Sequence, residues 1–381
     1  MSLYVPTGTP PLVAGALARI ERRLPAPGEV TVRVGQRVEP DDVVARAFVP
    51  ATPQILNLAR ELMIPPSRVE RALSREVGAT VAQGDLLARA GRIGGRVCRA
   101  PIGGVIAAVD GETGYVTIMP DPVRHELFAT VRGVVMDVMP YEGVRIETPA
   151  AQVHGVFGLG ASQSGVLRLL VTDPSEPIVT EMINPRSAYA IVIGGSGISA
   201  AALQRAVQEQ VRGVIVGSID EAELRAFLGV DGYAAWGVGP PDWQVPAAAA
   251  QPADLTLIVT EGFGHRPMSG PLFELLASHH GKEALVEGVT GLWGGVRRPR
   301  VVIPLSARAA GLQIEAPQPS LRPGAMVRLL HQAYLGQVGQ VRAVSSAPRR
   351  LASRVRTTAA DILLEDGTVV VAATSAAEVL S

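Results

Sequence analysis

The chain has 381 residues, 47% hydrophobic and 18% charged, with 35 cationic and 35 acidic side chains that cancel at neutral pH. That length allows two to four domains at about 100–200 residues each. The apolar fraction excludes global disorder, and zero net charge excludes a whole-molecule field drawing the chain to nucleic acid or an anionic membrane. One cysteine, Cys98, excludes an intramolecular disulfide framework and a cysteine-rich metal site. The first residues, "MSLYVPTGTPPLVAG", have no basic region or long apolar core, and no apolar run of about 18 residues follows anywhere. The expectation is a cytoplasmic protein with no membrane partner.

Residues 28–48, "GEVTVRVGQRVEPDDVVARAF", alternate apolar and polar residues between turns at Gly35 and Pro40-Asp41-Asp42, which predicts short strands. Their wording returns at residues 74–90, "SREVGATVAQGDLLARA". Each copy has V-G-x-x-V, a turn holding Asp42 or Asp85, and a strand ending Ala-Arg-Ala. Aspartate suits such turns because its carboxylate accepts from nearby backbone amides. Between the copies, Ile55, Leu58, Ala59 and Leu62 share a helical face, with Thr52 as cap and Pro53 in the first turn. Pro65-Pro66 stops that helix, and Ser67 caps a second through Leu73. A second echo pairs "APIGGVIAAVDGETGYVTI" (100–118) with "ATVRGVVMDVMPYEGVRI" (129–146), the latter read as a β-hairpin packed beside the first domain.

The repeated V-G-x-x-V-x-x-G-D-x-L-A pattern and "API-GGVIAAV" resemble the barrel-sandwich hybrid fold of biotinyl and lipoyl domains. That resemblance implies a cofactor lysine on the turn Gly91-Arg92-Ile93-Gly94-Gly95, where this chain has Arg92. Its only lysine, Lys282, lies far downstream, so no biotin or lipoyl attachment is expected. The domain is read as structural or docking.

From about residue 151 the pattern changes. "AIVI" is a buried strand, "GGSG" a turn, and Ser199 caps a helix with Leu203, Ala206, Val207 and Val211 on one side. Gly213 ends that helix, "VIVGS" is the next strand, and Asp220 caps "EAELRAFL". "LTLIVTEGFG" and "SGPLFELLASHHG" add another strand and helix, so a parallel α/β layer is predicted. Gly195-Ser196-Gly197-Ile198-Ser199-Ala200, between a strand and a helix, matches G-x-G-x-x-[GA], with Asp220 about 20 residues on, as in dinucleotide-binding folds. A tight structural turn is the competing reading. "TEGFGHRPMSG" brings Glu261, Gly262, His265 and Arg266 to the end of another parallel strand, where ligands bind such sheets. Three loops, "GGSG", "VGSID" and "TEGFG", should meet at one edge. No metal site is predicted: His279 and His280 are adjacent and point apart. "RRPR" (297–300) reads as a solvated basic loop, and Ser162 and Ser164 do not form a nucleophile elbow.

Residues 322–344, "RPGAMVRLLHQAYLGQVGQVRAV", resemble the KOW motif: Pro323-Gly324, a strand, Tyr334, then Gly336 and Gly339 before a second strand. An Asp366-Gly367 hairpin completes a small SH3-like barrel. The resemblance implies contact with RNA or protein. The segment carries seven arginines against four acids, with Arg349, Arg350, Arg354 and Arg356 in one loop.

The expected fold is therefore multidomain and β-rich. A barrel-sandwich hybrid (1–125) carries a helical insertion (about 53–74). A connector hairpin (126–150), a central α/β layer with parallel strands (151–320) and a C-terminal small SH3-like β-barrel (321–381) follow. No catalytic residue is assigned. The expected function is a non-enzymatic scaffold or binding protein with a protein partner and no cofactor. One alternative is an α/β domain that binds a nucleotide, dinucleotide or other phosphate ligand, with or without catalysis, using Gly194, Gly195, Ser196, Gly197, Ser199, Asp220, Glu261, Gly262 and His265. The other is an RNA-, ribosome- or transcription-associated factor using Tyr334, Gly336, Arg349, Arg350, Arg354 and Arg356.

Overall fold

The computed structural model describes residues 12–91, 95–229, 255–288, 298–305, 321–331, 334–352 and 354–380. Across them the chain is β-rich, with several sheets and one large mixed sheet of 11 strands. At its centre Ser162–Leu169, Ala190–Ile193, Gly213–Ile219 and Thr256–Phe263 run parallel. Every residue of Ala190–Ile193 and Gly213–Ile219 is buried, as befits continuous apolar runs covered on both faces. The two-residue period of a strand sorts their side chains. Val192, Val214 and Val216 pack with Leu203, Ala206 and Leu224 of the helices Ala200–Gln208 and Glu221–Leu228. Ile191, Ile193, Ile215 and Ile258 pack on the opposite face with Leu272, Phe273 and Leu276 of Gly270–Ser278.

Ser199 and Asp220 cap their helices as expected, accepting from the amides of Ala202 (3.2 Å) and Ala222 (2.8 Å). Val207 departs from the predicted face and is exposed. The helix stops at Gln208, and Gly213 begins the next strand instead of ending the helix.

Beyond Ser162–Leu169 the sheet continues antiparallel through Glu283–Glu287, Arg300–Pro304 and Gly143–His154. On one edge of Gly143–His154 lie Gly133–Met139, then Arg300–Pro304. Leu12–Arg23 pairs along its other edge. The first third of the chain is thereby fused to the central layer. Leu285 and Val302 share a core with Ile20, Val44, Val135 and Ile146.

That first third contains two equivalent units, one nested inside the other. In the outer unit Asp42 Oδ2 accepts from the Glu39 amide (2.8 Å), and in the inner unit Asp85 Oδ2 accepts from the Ala82 amide (3.0 Å). Gly35 donates to Val135 O, and Gly78 donates to Ile106 O, both at 2.7 Å. Ala129 donates to Asp42 O, and Ala100 donates to Asp85 O, both at 2.9 Å. Gly35 and Gly78 adopt φ of 84° and 89°, a region that favours glycine. The two sequence echoes are thus halves of the same duplication. Residues 129–146 complete the outer unit and do not stand beside it as a separate hairpin. The cores are distinct: Val38, Val44 and Ala45 sit in one, Val81, Leu87 and Ala88 in the other.

The chain leaves the outer unit after Val43–Val49 and returns as Val123–Phe128, which pairs with it antiparallel. The inner unit fills the interval. Its helical part is smaller than predicted. Gln54–Asn57 is an edge strand on which Ile55 is exposed, and the helix is only Leu58–Leu62, capped by Asn57. After Pro65 a 3-10 turn leads into Val69–Ala72, with no cap bond from Ser67. The tip of the Leu86–Arg89/Val97–Arg99 hairpin includes positions 92–94, which lie outside the described residues.

The C-terminal sheet has the order Val369–Ala373, Ala359–Leu364, Val338–Val344, Met326–Leu329, Ala377–Leu380, around Val327, Leu329, Val341 and Ile362. Its Asp366-Gly367 turn forms as expected, with Gly367 at φ 85° and Asp366 Oδ1 accepting from the Thr368 amide (2.8 Å). Among the described residues no helix is long and apolar enough to cross a membrane.

Candidate functional site

The three loops converge as predicted at the carboxyl ends of the parallel strands, and they are tied to one another. The amide of Gly217 donates to Gly195 O and that of Ser218 to Ser196 O, both at 2.8 Å. Ser218 Oγ donates to Ser196 O (2.6 Å) and accepts from the Arg266 amide (2.8 Å). Ser218 is therefore the pin of the loop cluster, a residue that sequence reasoning missed. Within "VGSID" its hydroxyl carries no motif signal.

The glycine turn serves this packing. The amides of Gly195 and Ser196 both donate to Glu176 O at 3.0 Å, and Gly197 O accepts from Ile178 (2.8 Å). A Cβ on Gly195 would lie 2.6 Å from the carbonyl oxygens of Asp173 and Glu176. One on Gly194 would lie 2.4 Å from Ile178 Cγ1. The close approach that these glycines permit is to the chain's own 173–178 segment. The helix N-terminus also holds a carboxylate already: Glu223 Oε2 accepts from the Ala200 amide at 2.6 Å. A helix N-terminus attracts anions, and here Glu223 is the anion.

Asp220 caps its own helix, and its other oxygen lies 4.0 Å from Nε2 of the exposed His265. Glu261 is buried. Its Oε1 accepts from the Ser269 amide (3.0 Å), and its Oε2 is ion-paired with Arg328 from the C-terminal sheet. Arg328 also meets Glu378 (3.0 Å), and Glu378 meets Arg298 (2.5 Å). Arg298 further donates to the carbonyls of Gly155 and His154, each at 2.9 Å. Burial pulls the Arg298 guanidinium below the ordinary arginine value, opposed by the Glu378 charge.

Side-chain exposures of 3–8% make this chain of four charges an interior feature. Such networks bind strongly only when every partner is present. The "RRPR" reading is corrected here. Arg298 and Arg300 are ion-paired to Glu378 and Glu287 and are not solvated, while Arg297 lies outside the described residues.

The same junction absorbs the loop at residues 330–336. Leu330 and Leu335 join the hydrophobic core of the central layer. Gly336 (φ 81°) abuts Gly262 (φ 115°), and a Cβ on either would come within 3.0 Å of the other's Cα. Tyr334 is half-buried beside them, lining a cleft of about 340 Å³ with Phe263 and Arg266. The arginine loop stays outside. Arg349 pairs with Asp361 (2.8 Å), while Arg350 faces Arg356 directly across a two-residue ribbon. Arg354 turns that loop at φ 65°.

Cys98 is half-buried, and burial together with the nearby Glu61 charge pushes its thiol up, away from a nucleophilic thiolate. His280 Nδ1 accepts from the Leu169 amide (3.1 Å), while His279 Nδ1 lies 2.8 Å from Leu275 O. Among the described residues no three His, Cys, Asp or Glu side chains are grouped to hold a metal ion.

No protein-family model matches the chain, and no curated protein matches it.

Proposed function

We propose that this is a non-enzymatic binding or scaffold protein. Two nested lipoyl-like units without a carrier lysine are joined to an α/β layer and a KOW-like, SH3-like barrel. The observation that carries the reading is the internal satisfaction of the loop cluster. The amides of Gly195 and Ser196 are spent on Glu176 O and that of Ala200 on the Glu223 carboxylate, while Glu261 is spent on Arg328. A general acid or base must reach a substrate proton, and Glu261 is buried behind an arginine. The KOW-like loop contacts protein, namely its own central layer, which supports docking as the role of that barrel. The test is thermal unfolding with ATP, GTP, NAD and NADP at millimolar concentration. Binding to the native state raises stability by mass action, so this reading expects no shift. A stabilisation that is lost in Gly197→Val and strengthened in Glu223→Ala would overturn it in favour of a nucleotide site.

One observation favours a second reading, an RNA-associated factor acting through the tail. Like charges directly opposite on paired strands are destabilising, and Arg350 faces Arg356 with Arg354 nearby. A polyanion would relieve that repulsion. Filter binding of single-stranded RNA tests it. Retention unchanged after replacing Arg349, Arg350, Arg354 and Arg356 with serine would remove this reading.

A further inference from the structure

The cleft between the central layer and the C-terminal sheet is not filled by the interactions described above. It lies at the carboxyl ends of Gly213–Ile219 and Thr256–Phe263, the place where parallel sheets receive ligands. One wall is Phe263, Arg266 and Glu221; the other is Tyr334, Glu365 and Asp366. Its volume of about 340 Å³ suits a small molecule. The walls are held rigidly. Phe263 packs on Phe157 with ring centroids 5.2 Å apart, the Arg266 amide is bonded to Ser218, and the two domains are locked by the Glu261–Arg328–Glu378–Arg298 chain.

The charges are the informative part. Arg266, Glu221, Glu365 and Asp366 line one cavity, yet among the described residues none has an ion-pair partner within 4.0 Å. A site built only for a cation would not need the guanidinium, and one built for an anion would not hold three carboxylates. Both signs are offered, with negative charge in excess, between two aromatic rings. Aromatic faces attract cations, guanidinium groups above all.

We infer that this cleft binds a small zwitterion with excess positive charge, of the basic amino-acid class. Its carboxylate meets Arg266. Its α-ammonium and side-chain cation lie among Glu221, Glu365 and Asp366, with the side chain between Phe263 and Tyr334. This rests on the binding-protein reading and gives that reading a ligand class.

Calorimetric titration of the full chain with arginine, citrulline and agmatine tests it. Citrulline keeps the shape and the carboxylate but loses the side-chain charge. Agmatine keeps the guanidinium but loses the carboxylate. Arginine should bind up to about fivefold more tightly than either, the worth of one partly exposed charge pair. Arg266→Ala should weaken arginine binding so that arginine no longer binds more tightly than agmatine. Circular dichroism confirms that the variant is folded. No heat with arginine at about 20 mM, a concentration that would saturate even a weak site, overturns the inference. So does equal binding of arginine and either analogue. Either failure leaves the binding-protein reading standing, whereas a nucleotide-dependent stabilisation strikes that reading and not this cleft.

Discussion

Arg328→Ala tests the junction between the central layer and the C-terminal sheet. In the native protein Arg328 stands between two carboxylates, with side-chain exposures of 6% for Arg328, 8% for Glu261 and 3% for Glu378. The substitution leaves the two carboxylates in unequal positions. Glu378 keeps Arg298, but Glu261 keeps only the Ser269 amide and the neighbouring Thr260 hydroxyl. A buried charge stripped of its counter-ion costs about 3–5 kcal/mol, and the retained amide puts the expected loss near about 3 kcal/mol.

Urea titration followed by circular dichroism measures it, with hydrogen exchange at Met326–Leu329 reporting on the junction itself. The double variant Arg328→Met/Glu261→Gln should lose less than Arg328→Ala, because both partners become neutral together. Arg132→Ala is the surface comparison. Arg132 and Glu39 are 69% and 60% exposed, and such a pair contributes about 0–1 kcal/mol. If Arg328→Ala costs no more than Arg132→Ala, the reasoning about this network fails.

Three other outcomes are expected. Gly336→Ala places a Cβ against Gly262 at positive φ, and should cost about 1–3 kcal/mol with faster exchange confined to the junction. Gly367→Ala, with open space around its Cβ, should cost less in the same urea titration. Asp42→Ala and Asp85→Ala remove equivalent turn bonds and should each cost about 1 kcal/mol. A large disparity between them would mean that the two units are not equivalent. Asp110 is held below the usual carboxylate range by the Thr113 hydroxyl and the Glu112 amide. Thr113→Val should move its titration, read by NMR, up toward the ordinary value. Stability from a depressed carboxylate is present above the unfolded pKa and lost as pH falls through the folded one, so the variant loses part of its dependence on acid.

Local features were legible where a short stretch determines its own geometry. The caps at Ser199 and Asp220, the turns at Asp42, Asp85 and Asp366, and the buried runs at Ala190–Ile193 and Gly213–Ile219 follow from side-chain chemistry within a few residues. The meeting of three loops was legible from strand–helix alternation. What fills them was not. Glu223 at the helix N-terminus and Arg328 on Glu261 are contacts across 23 and 67 residues, and no periodicity encodes such partners. Ile55 misled for a related reason. Its spacing fits a helical face, but pairing with Thr117 on Tyr115–Met119 makes it an edge-strand residue. Both sequence echoes were visible, but their nesting was not, because spacing alone cannot say which half pairs with which.

The nesting has a consequence for how the protein is made. The outer unit needs Val43–Val49 to pair with Val123–Phe128, and the chain between them is the inner unit. A flexible loop of that length would impose an entropic cost on closure, and pairing across it would be slow. Once folded, the inner unit replaces that slack with a compact body whose two ends emerge together. During synthesis it can fold first from contiguous sequence, holding the unfinished strand Val43–Val49 until its partner emerges. Substitutions in its core, such as Ile106→Ala, should therefore delay closure of an outer unit whose own core they do not touch.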